Sequence, residues 1–200
     1  MLAAPMRTGA KKVSKSKPLA ILATVVAAVT AVSCGNASTD SASAATCRLT
    51  PSATEGPYYK AGAPRRTDIN QPRQSGRTIV LTGLVRTNGC RAIAGAKLEL
   101  WQANAAGDYD NTGYKLRGWV RTNASGRYRI VTIIPGIYEG RTRHIHVKVT
   151  APGGPTLTSQ LYFPGTAQNN SDSIFNSRTL LTITSRGNPW RARYNFAVRT

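Results

Sequence analysis

The chain contains only two histidines, His144 and His146, separated by a single residue. They open the extended run 144–150, in which side chains alternate between two faces. Both imidazoles therefore point the same way, while the apolar residues between and after them can pack in a core. Neutral imidazole is the commonest protein metal ligand, and a pair on one strand offers two ligand directions from a rigid element. Because Lys148 and Thr150 share that face, the pair alone leaves a metal site and a solvated strand face equally open.

Two tyrosines stand at the ends of neighbouring segments. Tyr109 closes the run 101–109, and Tyr138 lies shortly before His144. A tyrosine at the end of a strand is usually a half-buried rim or core aromatic. Two phenolates beside two imidazoles, however, combine hard anionic oxygens with borderline nitrogens. Such a donor set favours a hard trivalent ion such as Fe(III) over Zn(II) or Cu(I).

The elements that would position these side chains have the pattern of short strands. Turn-forming pairs such as Asn88-Gly89 and Pro135-Gly136 separate extended segments, and nothing after the first 33 residues has a sustained helical period. The expected strands are 78–86, 96–102, 118–122, 127–134, 144–150, 156–163, 180–184 and 194–198. Many short strands with frequent turns predict an all-β fold, a β-sandwich of mostly antiparallel strands.

Residues 1–33 have the composition of an export signal. Lysines precede an apolar stretch, 19–32, that is too short for a comfortable membrane span and suits a signal peptide. The stretch ends in Ser33-Cys34, which is similar to a bacterial lipoprotein cleavage site, so Cys34 is the expected lipidation point and the expected link to a membrane. Cleavage further along, near 44–45, would instead release the protein. Residues 34–46 are expected to form a flexible tether, which leaves 47–200 as the predicted domain.

The three cysteines fit this view of an exported protein, held at the cell surface or secreted. With Cys34 lipidated, Cys47 and Cys90 remain, and an oxidising compartment favours a disulfide between them. Two free buried thiols are the alternative.

The chain is strongly basic, with a formal net charge of +19 at pH 7. Its arginines are scattered through strand-like segments, and no nucleic-acid-binding motif accompanies them, so no nucleic-acid partner is expected. In an exported protein this charge is equally consistent with solubility and with attraction to an anionic cell wall or acidic phenolic polymers.

Five segments together resemble one enzyme family. In chain order they are 54–58 (TEGPY), 101–109 (WQANAAGDY), 135–138 (PGIY) followed by Arg141, 144–146 (HIH) and 159–165 (SQLYFPG). Their residue types and order are similar to those of the intradiol ring-cleavage dioxygenases, which include the protocatechuate and catechol dioxygenases. The resemblance implies a β-sandwich with long active-site loops. It also implies an enzyme that cleaves catechol-type rings with O₂ between the two hydroxyl-bearing carbons to give muconic acids.

The resemblance further implies roles for the matching residues. The ligands of one non-haem Fe(III) per chain would be Tyr109, Tyr138, His144 and His146. Tyr138 would leave the metal and accept a substrate proton. Arg141 would lie over the substrate ring, where its fixed charge stabilises negative charge as it develops, and Gln160 would support it. The residues lining the substrate mouth would be Thr54, Pro57 and Tyr58.

The chain departs from the family pattern in two respects. The stretch 139–143 is short where cytosolic members carry a longer loop with a tryptophan, which predicts an open site suited to bulky or polymer-linked catechols. The N-terminal helical domain through which catechol-type members dimerise is also missing, so their oligomeric state does not carry over. Both departures resemble the exported, single-domain branch of the family.

Two other functions remain as alternatives. One is a non-catalytic secreted β-sandwich that binds or carries a ligand. The other is an extradiol dioxygenase, in which Fe(II) would be held by two histidines and a carboxylate, with Glu139, Asp108 and Asp110 as the nearby acids.

Overall fold

The structure is a computed structural model that describes residues 46–200. The expected signal peptide, Cys34 and all of the expected tether except Thr46 lie outside the described residues. Within residues 46–200, no helix is long and apolar enough to cross a membrane.

The described chain forms nine strands and two short 3₁₀ helices, Ala167–Asn170 and Ser177–Thr179. The strands are β1 (Thr78–Thr87), β2 (Lys97–Trp101), β3 (Arg117–Arg121), β4 (Arg127–Ile133), β5 (His144–Thr150), β6 (Thr156–Tyr162), β7 (Thr182–Ser185), β8 (Trp190–Arg193) and β9 (Phe196–Val198). One sheet has the order β4-β1-β8-β7, with β9 also paired to β1, and the other has the order β3-β2-β5-β6. Only β8 and β9 pair with β1 in parallel, and the other pairings between these strands are antiparallel. The prediction of an all-β sandwich of mostly antiparallel strands is confirmed.

The core lies between the two sheets and is built from alternate strand residues. On β5, Ile145, Val147 and Val149 are fully buried. They pack beside the neighbouring strand, where Leu98 lies opposite Val149 and Leu100 lies opposite Val147. Each such side chain contributes about 1.5–3 kcal/mol through its removal from water. Because this face of β5 is fixed in the core, the two histidines are directed to the opposite face of the sheet.

Strand β8 and the short break before β9 were not predicted. Strand β8 has only four residues and follows Pro189 directly, so its alternation of Trp190 and Ala192 with two arginines is too short to predict a strand. The chain leaves β8 at Tyr194 and crosses β1 at Gly83, where a Cβ atom would lie 1.7 Å from the Tyr194 carbonyl oxygen. A glycine at that point of β1 is therefore required by the close approach of two backbones.

The segment that precedes β1 runs over the edge of the second sheet. Cys47 is disulfide-bonded to Cys90 in the turn after β1. Further along, the Ala53 amide donates to the Thr158 carbonyl at 2.9 Å, and the Ser159 hydroxyl donates to the Pro51 carbonyl at 2.8 Å. These contacts along β6 carry residues 54–58 across the outer face of the sheet, above the histidines.

Candidate active site

Both histidines are buried on the outer face of β5, each with 4% of its surface exposed. The ring of His146 stacks on Trp101 of the adjacent strand, with ring centroids 4.9 Å apart and planes 6° apart. Gly56 also lies so close that a Cβ atom there would be 3.0 Å from the His146 ring. The alternative of a solvated strand face for the two histidines is wrong.

The imidazole nitrogens face each other. His144 Nδ1 lies 2.6 Å from the Thr142 carbonyl, which fixes Nδ1 as the protonated nitrogen and leaves the lone pair on Nε2. That Nε2 is 3.1 Å from His146 Nε2. Burial lowers the pKa of His144 and holds the pKa of His146 well below its usual range. Both rings are therefore neutral and suited to bind a metal through Nε2.

The two predicted tyrosine ligands lie against the histidines. The Tyr109 hydroxyl is 3.4 Å from His144 Nε2. The Tyr138 ring stands almost perpendicular to the Tyr109 ring, with centroids 5.4 Å apart, and the Tyr138 hydroxyl donates to the Tyr58 hydroxyl at 2.9 Å. Tyr58 in turn stacks on Tyr109 at 4.6 Å. The structure thus brings the four predicted ligands together, with Tyr58 packed among the phenols.

Both phenols are held in the neutral form by their surroundings. Burial raises the pKa of Tyr109, and the charges of Arg141 and Arg117 only partly oppose that effect. The pKa of Tyr138 is raised first by the hydrogen bond to Tyr58 and then by Glu139. A cation of high charge is what would ionise such phenols. The donor set of two phenol oxygens and two neutral imidazole nitrogens fits Fe(III), the ion that hard oxygen ligands prefer.

The extradiol alternative needs a carboxylate beside the histidines. Among residues 46–200, no cluster of three His, Cys, Asp or Glu side chains is present. Asp110 instead accepts backbone hydrogen bonds from Gly113 and Lys115 in its own loop, and Asp108 contacts the Asn104 amide at 3.3 Å. Glu139 is exposed. The described residues therefore do not support the alternative set of two histidines and one carboxylate.

Arg141 is held beside the cluster by two partners. Its Nη2 donates to Gln160 Oε1 at 3.0 Å and its Nε donates to Asp172 Oδ2 at 2.8 Å. The Gln160 amide reaches the Thr54 carbonyl at 2.9 Å, so Thr54 joins the same chain of hydrogen bonds. Arg143 contacts a different part of the molecule, because its Nη1 donates to the Pro135 carbonyl. Pro57 is exposed next to Tyr58.

Two buried charged residues at this site were missed by sequence reasoning. The Asp172 carboxylate is 1% exposed and also accepts from the Thr142 amide. Arg117 is 1% exposed and donates to the carbonyls of Tyr58 and Asp110, so it ties the mouth segment to the loop that carries Tyr109. Asp172 lies in a segment without periodicity. Arg117 stands just before the predicted start of its strand, and nothing in its spacing signals burial.

Comparisons with known proteins identify the family. The sequence model of a dioxygenase family matches residues 54–188. The catechol 1,2-dioxygenase of Pseudomonas sp. (strain EST1001) is 34% identical over 156 residues, which are 64% of this chain and 52% of that enzyme. The chain belongs to the intradiol ring-cleavage dioxygenase family. The resemblance described above is confirmed.

Solved structures of this family share the sandwich. The dioxygenase domain of a dioxygenase carbohydrate-binding protein fusion from Streptomyces sp. SirexAA-E has a TM-score of 0.74 and 40% identity, and the match covers 76% of this chain and 99% of that one. The 3-chlorocatechol 1,2-dioxygenase of Rhodococcus opacus 1CP has a TM-score of 0.69 and 29% identity, covering 74% and 71%. The chain spans about half the length of the curated relatives it matches.

Proposed function

We propose that this intradiol dioxygenase is an exported non-haem Fe(III) enzyme that cleaves catechol-type rings with O₂ between the hydroxyl-bearing carbons, giving muconic acids. The observation that carries the proposal is the convergence of Tyr109, Tyr138, His144 and His146. These four side chains would hold one iron ion. When bound, ferric iron would supply Lewis-acid chemistry that withdraws electron density from a catechol ring and prepares it for reaction with O₂.

Tyr138 and Tyr58 handle substrate protons in this proposal. A catechol hydroxyl that loses its proton on binding needs an acceptor, and the phenolate form of Tyr138 is a suitable one. The Tyr138 hydroxyl already makes a 2.9 Å hydrogen bond with the Tyr58 hydroxyl, and Tyr58 belongs to the mouth segment. The pair gives the accepted proton a path from the cluster towards the mouth.

Arg141 supplies the fixed positive charge. Its guanidinium is oriented before substrate arrives, because Asp172 and Gln160 hold two of its donors. A donor that is already in place stabilises developing negative charge without reorganisation at the moment of reaction. Gln160 is fixed in turn by the Tyr162 hydroxyl at 2.9 Å and by Thr54.

Export and substrate size belong to the same proposal. The Cys47–Cys90 disulfide supports an oxidising compartment, with the chain either lipidated at Cys34 or released. The short stretch 139–143 leaves one wall of the site low, and Glu139 and Gly140 are exposed there. Catechols with bulky or polymeric substituents fit such a site better than a closed pocket would.

The decisive experiment is a visible spectrum of the purified protein, recorded without oxygen before and after addition of catechol, protocatechuate, hydroxyquinol and caffeoyl compounds. Phenolate bound to Fe(III) absorbs in the visible, and a bound catechol should shift that absorption. Admission of ¹⁸O₂ should then yield muconates that carry the label. A colourless protein fully loaded with iron, or a semialdehyde as the main product, would contradict the proposal. Ligand binding without turnover would favour the carrier module.

A further inference from the structure

One cavity among the described residues is separate from the metal cluster. It has a volume of about 580 Å³, and its walls include Ile137, Phe163 and Trp190. None of the four candidate iron ligands lines it. The cavity borders the loop that carries Tyr138, since Ile137 directly precedes Tyr138 and Arg143, another wall residue, directly precedes His144.

The walls suit a flat apolar group. Phe163 is 3% exposed, and Trp190 and Ile137 are half-buried. Aromatic and branched aliphatic side chains around a partly enclosed space are typical of small-molecule sites. An aromatic ring placed there would contact the Trp190 indole, and a planar ligand loses little conformational freedom when it binds.

The charge at the cavity is positive and not compensated. Arg77 and Arg143 both line it, and none of the described lining residues is acidic. Arg143 donates to a backbone carbonyl, Pro135, through one nitrogen, which leaves its other donors available. A third guanidinium, that of Arg186, lies 5.2 Å from the centre of the Trp190 ring. Arginine binds carboxylates through two parallel hydrogen bonds, and such charge-assisted bonds are the stronger ones.

We propose that this cavity binds a small aromatic carboxylate, with its ring against Ile137, Phe163 and Trp190 and its carboxylate on Arg77 and Arg143. The site is independent of the iron cluster. The ligand needs no hydroxyl groups, in contrast to a catechol, and its occupancy requires no metal. It would contact the residues that immediately precede Tyr138 and His144.

Isothermal titration of the full chain with trans-cinnamate tests the proposal, first after removal of metal by chelation and then after iron loading. We expect saturable binding of one cinnamate per chain with the same affinity in both states. The neutral isostere trans-cinnamamide should bind at least about tenfold more weakly, because it offers the guanidinium groups no charge. Equal affinity for the acid and the amide, or no saturable binding of cinnamate, would overturn the proposal. Loss of cinnamate binding on iron loading would do the same, because it would place the ligand at the cluster.

Variants locate the site. Arg77→Gln and Arg143→Gln should each weaken cinnamate binding by about fivefold or more, and Trp190→Leu should weaken both probes alike. Arg121→Gln is the matched control, because Arg121 is an exposed arginine whose guanidinium also lies over an indole, 5.7 Å from the Trp119 ring, but outside the cavity. If Arg121→Gln weakened binding as much as Arg77→Gln did, the affinity would reflect net charge and not this cavity. Arg77 is exposed, so its variant remains informative even if Arg143→Gln fails to fold.

Discussion

Polar residues on the outer faces of the two sheets differ in their exposure to solvent. On the sheet that contains β1, the outward residues of β4 and β8 include four arginines exposed to solvent, namely Arg127, Arg129, Arg191 and Arg193. On the sheet that contains β5, the outward polar residues near the cluster are at most 4% exposed, namely Arg117, His144, His146 and Gln160. The same sandwich therefore has one outer face that exposes a row of arginines and one outer face whose polar residues are covered by loops.

Burying polar side chains costs free energy, and the fold could form without burying them. A buried polar group is unfavourable unless it is hydrogen-bonded, and a buried charge is more so. Here the cost is offset by specific partners, such as the two carbonyls that accept from Arg117 and the Asp172 carboxylate beside Arg141. Such an arrangement is explained by chemistry at the cluster, whereas the opposite face follows from solubility. Substitutions on the two faces should therefore have very different effects.

Removing an iron ligand should have the largest effect. His146→Gln should reduce bound iron from about one per chain to a small fraction and abolish the visible absorption, since one of four ligand atoms is lost. Circular dichroism should be retained because the core face of β5 is untouched. Arg129→Gln, on the exposed face of the opposite sheet, should change neither. Iron analysis and visible spectra of both variants test this prediction. Full iron content with full activity in His146→Gln would show that His146 has a structural role and is not an iron ligand.

The next largest effect separates two arginines that are close in sequence. Arg141→Gln should lower kcat by about 10²-fold or more, as removal of a fixed transition-state donor does, with a smaller change in binding. Arg143→Gln should change kcat far less, because Arg143 points to Pro135 and the separate cavity. Steady-state rates on one catechol, normalised to iron content, measure both. Equal losses of kcat in the two variants would show that, with the short stretch 139–143, the stabilising charge is not supplied by Arg141 alone.

Arg117 gives an intermediate effect. Arg117→Met should weaken iron binding by about 10- to 100-fold, the range seen for residues that orient metal ligands, because the loop carrying Tyr109 and the mouth segment lose their common anchor. Arg117→Lys, which keeps the charge and one donor, should recover part of that affinity. Competition with a chelator measures it. Arg121→Gln on the same strand should match the wild type, and a loss as large as that of Arg117→Met would point to charge alone.

Most of the fold was predictable because its signals are local. Alternation on β5 identifies both the core residues Ile145, Val147 and Val149 and the outward histidines, and it predicted the bounds of that strand, His144–Thr150. Strand β8 escaped prediction because it is only four residues long and its one fully buried residue is a small alanine, Ala192. Its place is decided by pairing with β1, which is far away in sequence.

The residues of the candidate site also differ in whether local sequence signals identify them. Residues that recur in fixed motifs, such as Tyr109 and His146, were identified from the sequence. Asp172 and Arg117 were not, because their importance comes from what the folded loops bring to them across long stretches of chain. Burial of a charged side chain is a tertiary property, and no local pattern of residue types reveals it.

The smallest expected effect concerns Asp172 and the stability of the loops over β5. Burial alone would raise the pKa of this carboxyl, but hydrogen bonds from Arg141, Ile174 and Thr142 outweigh burial and lower it. The stabilisation is therefore present above the ordinary carboxyl pKa of about 4 and is lost as the pH falls towards the lower folded-state value. Asp172→Asn should thus lower the free energy of unfolding by about 1–3 kcal/mol at pH 7. That difference should shrink steadily between pH 5 and pH 3.

Urea unfolding of the wild type and Asp172→Asn at pH 7, 5, 4 and 3 measures that difference. Asp108→Asn is the control, because Asp108 is exposed and its carboxylate contacts the Asn104 amide near the surface, so a small effect at every pH is expected. If the free energy of unfolding of Asp172→Asn were lower than that of the wild type by the same amount at every pH, the carboxylate would stabilise the loops through its shape and not through its charge. A deficit that grows on acidification would reverse the sign of the argument. Either result would show that the Asp172 charge does not hold Arg141 in place. It would also weaken the argument that specific partners offset the burial of charge on the covered face, since the Arg141–Asp172 ion pair is its clearest example.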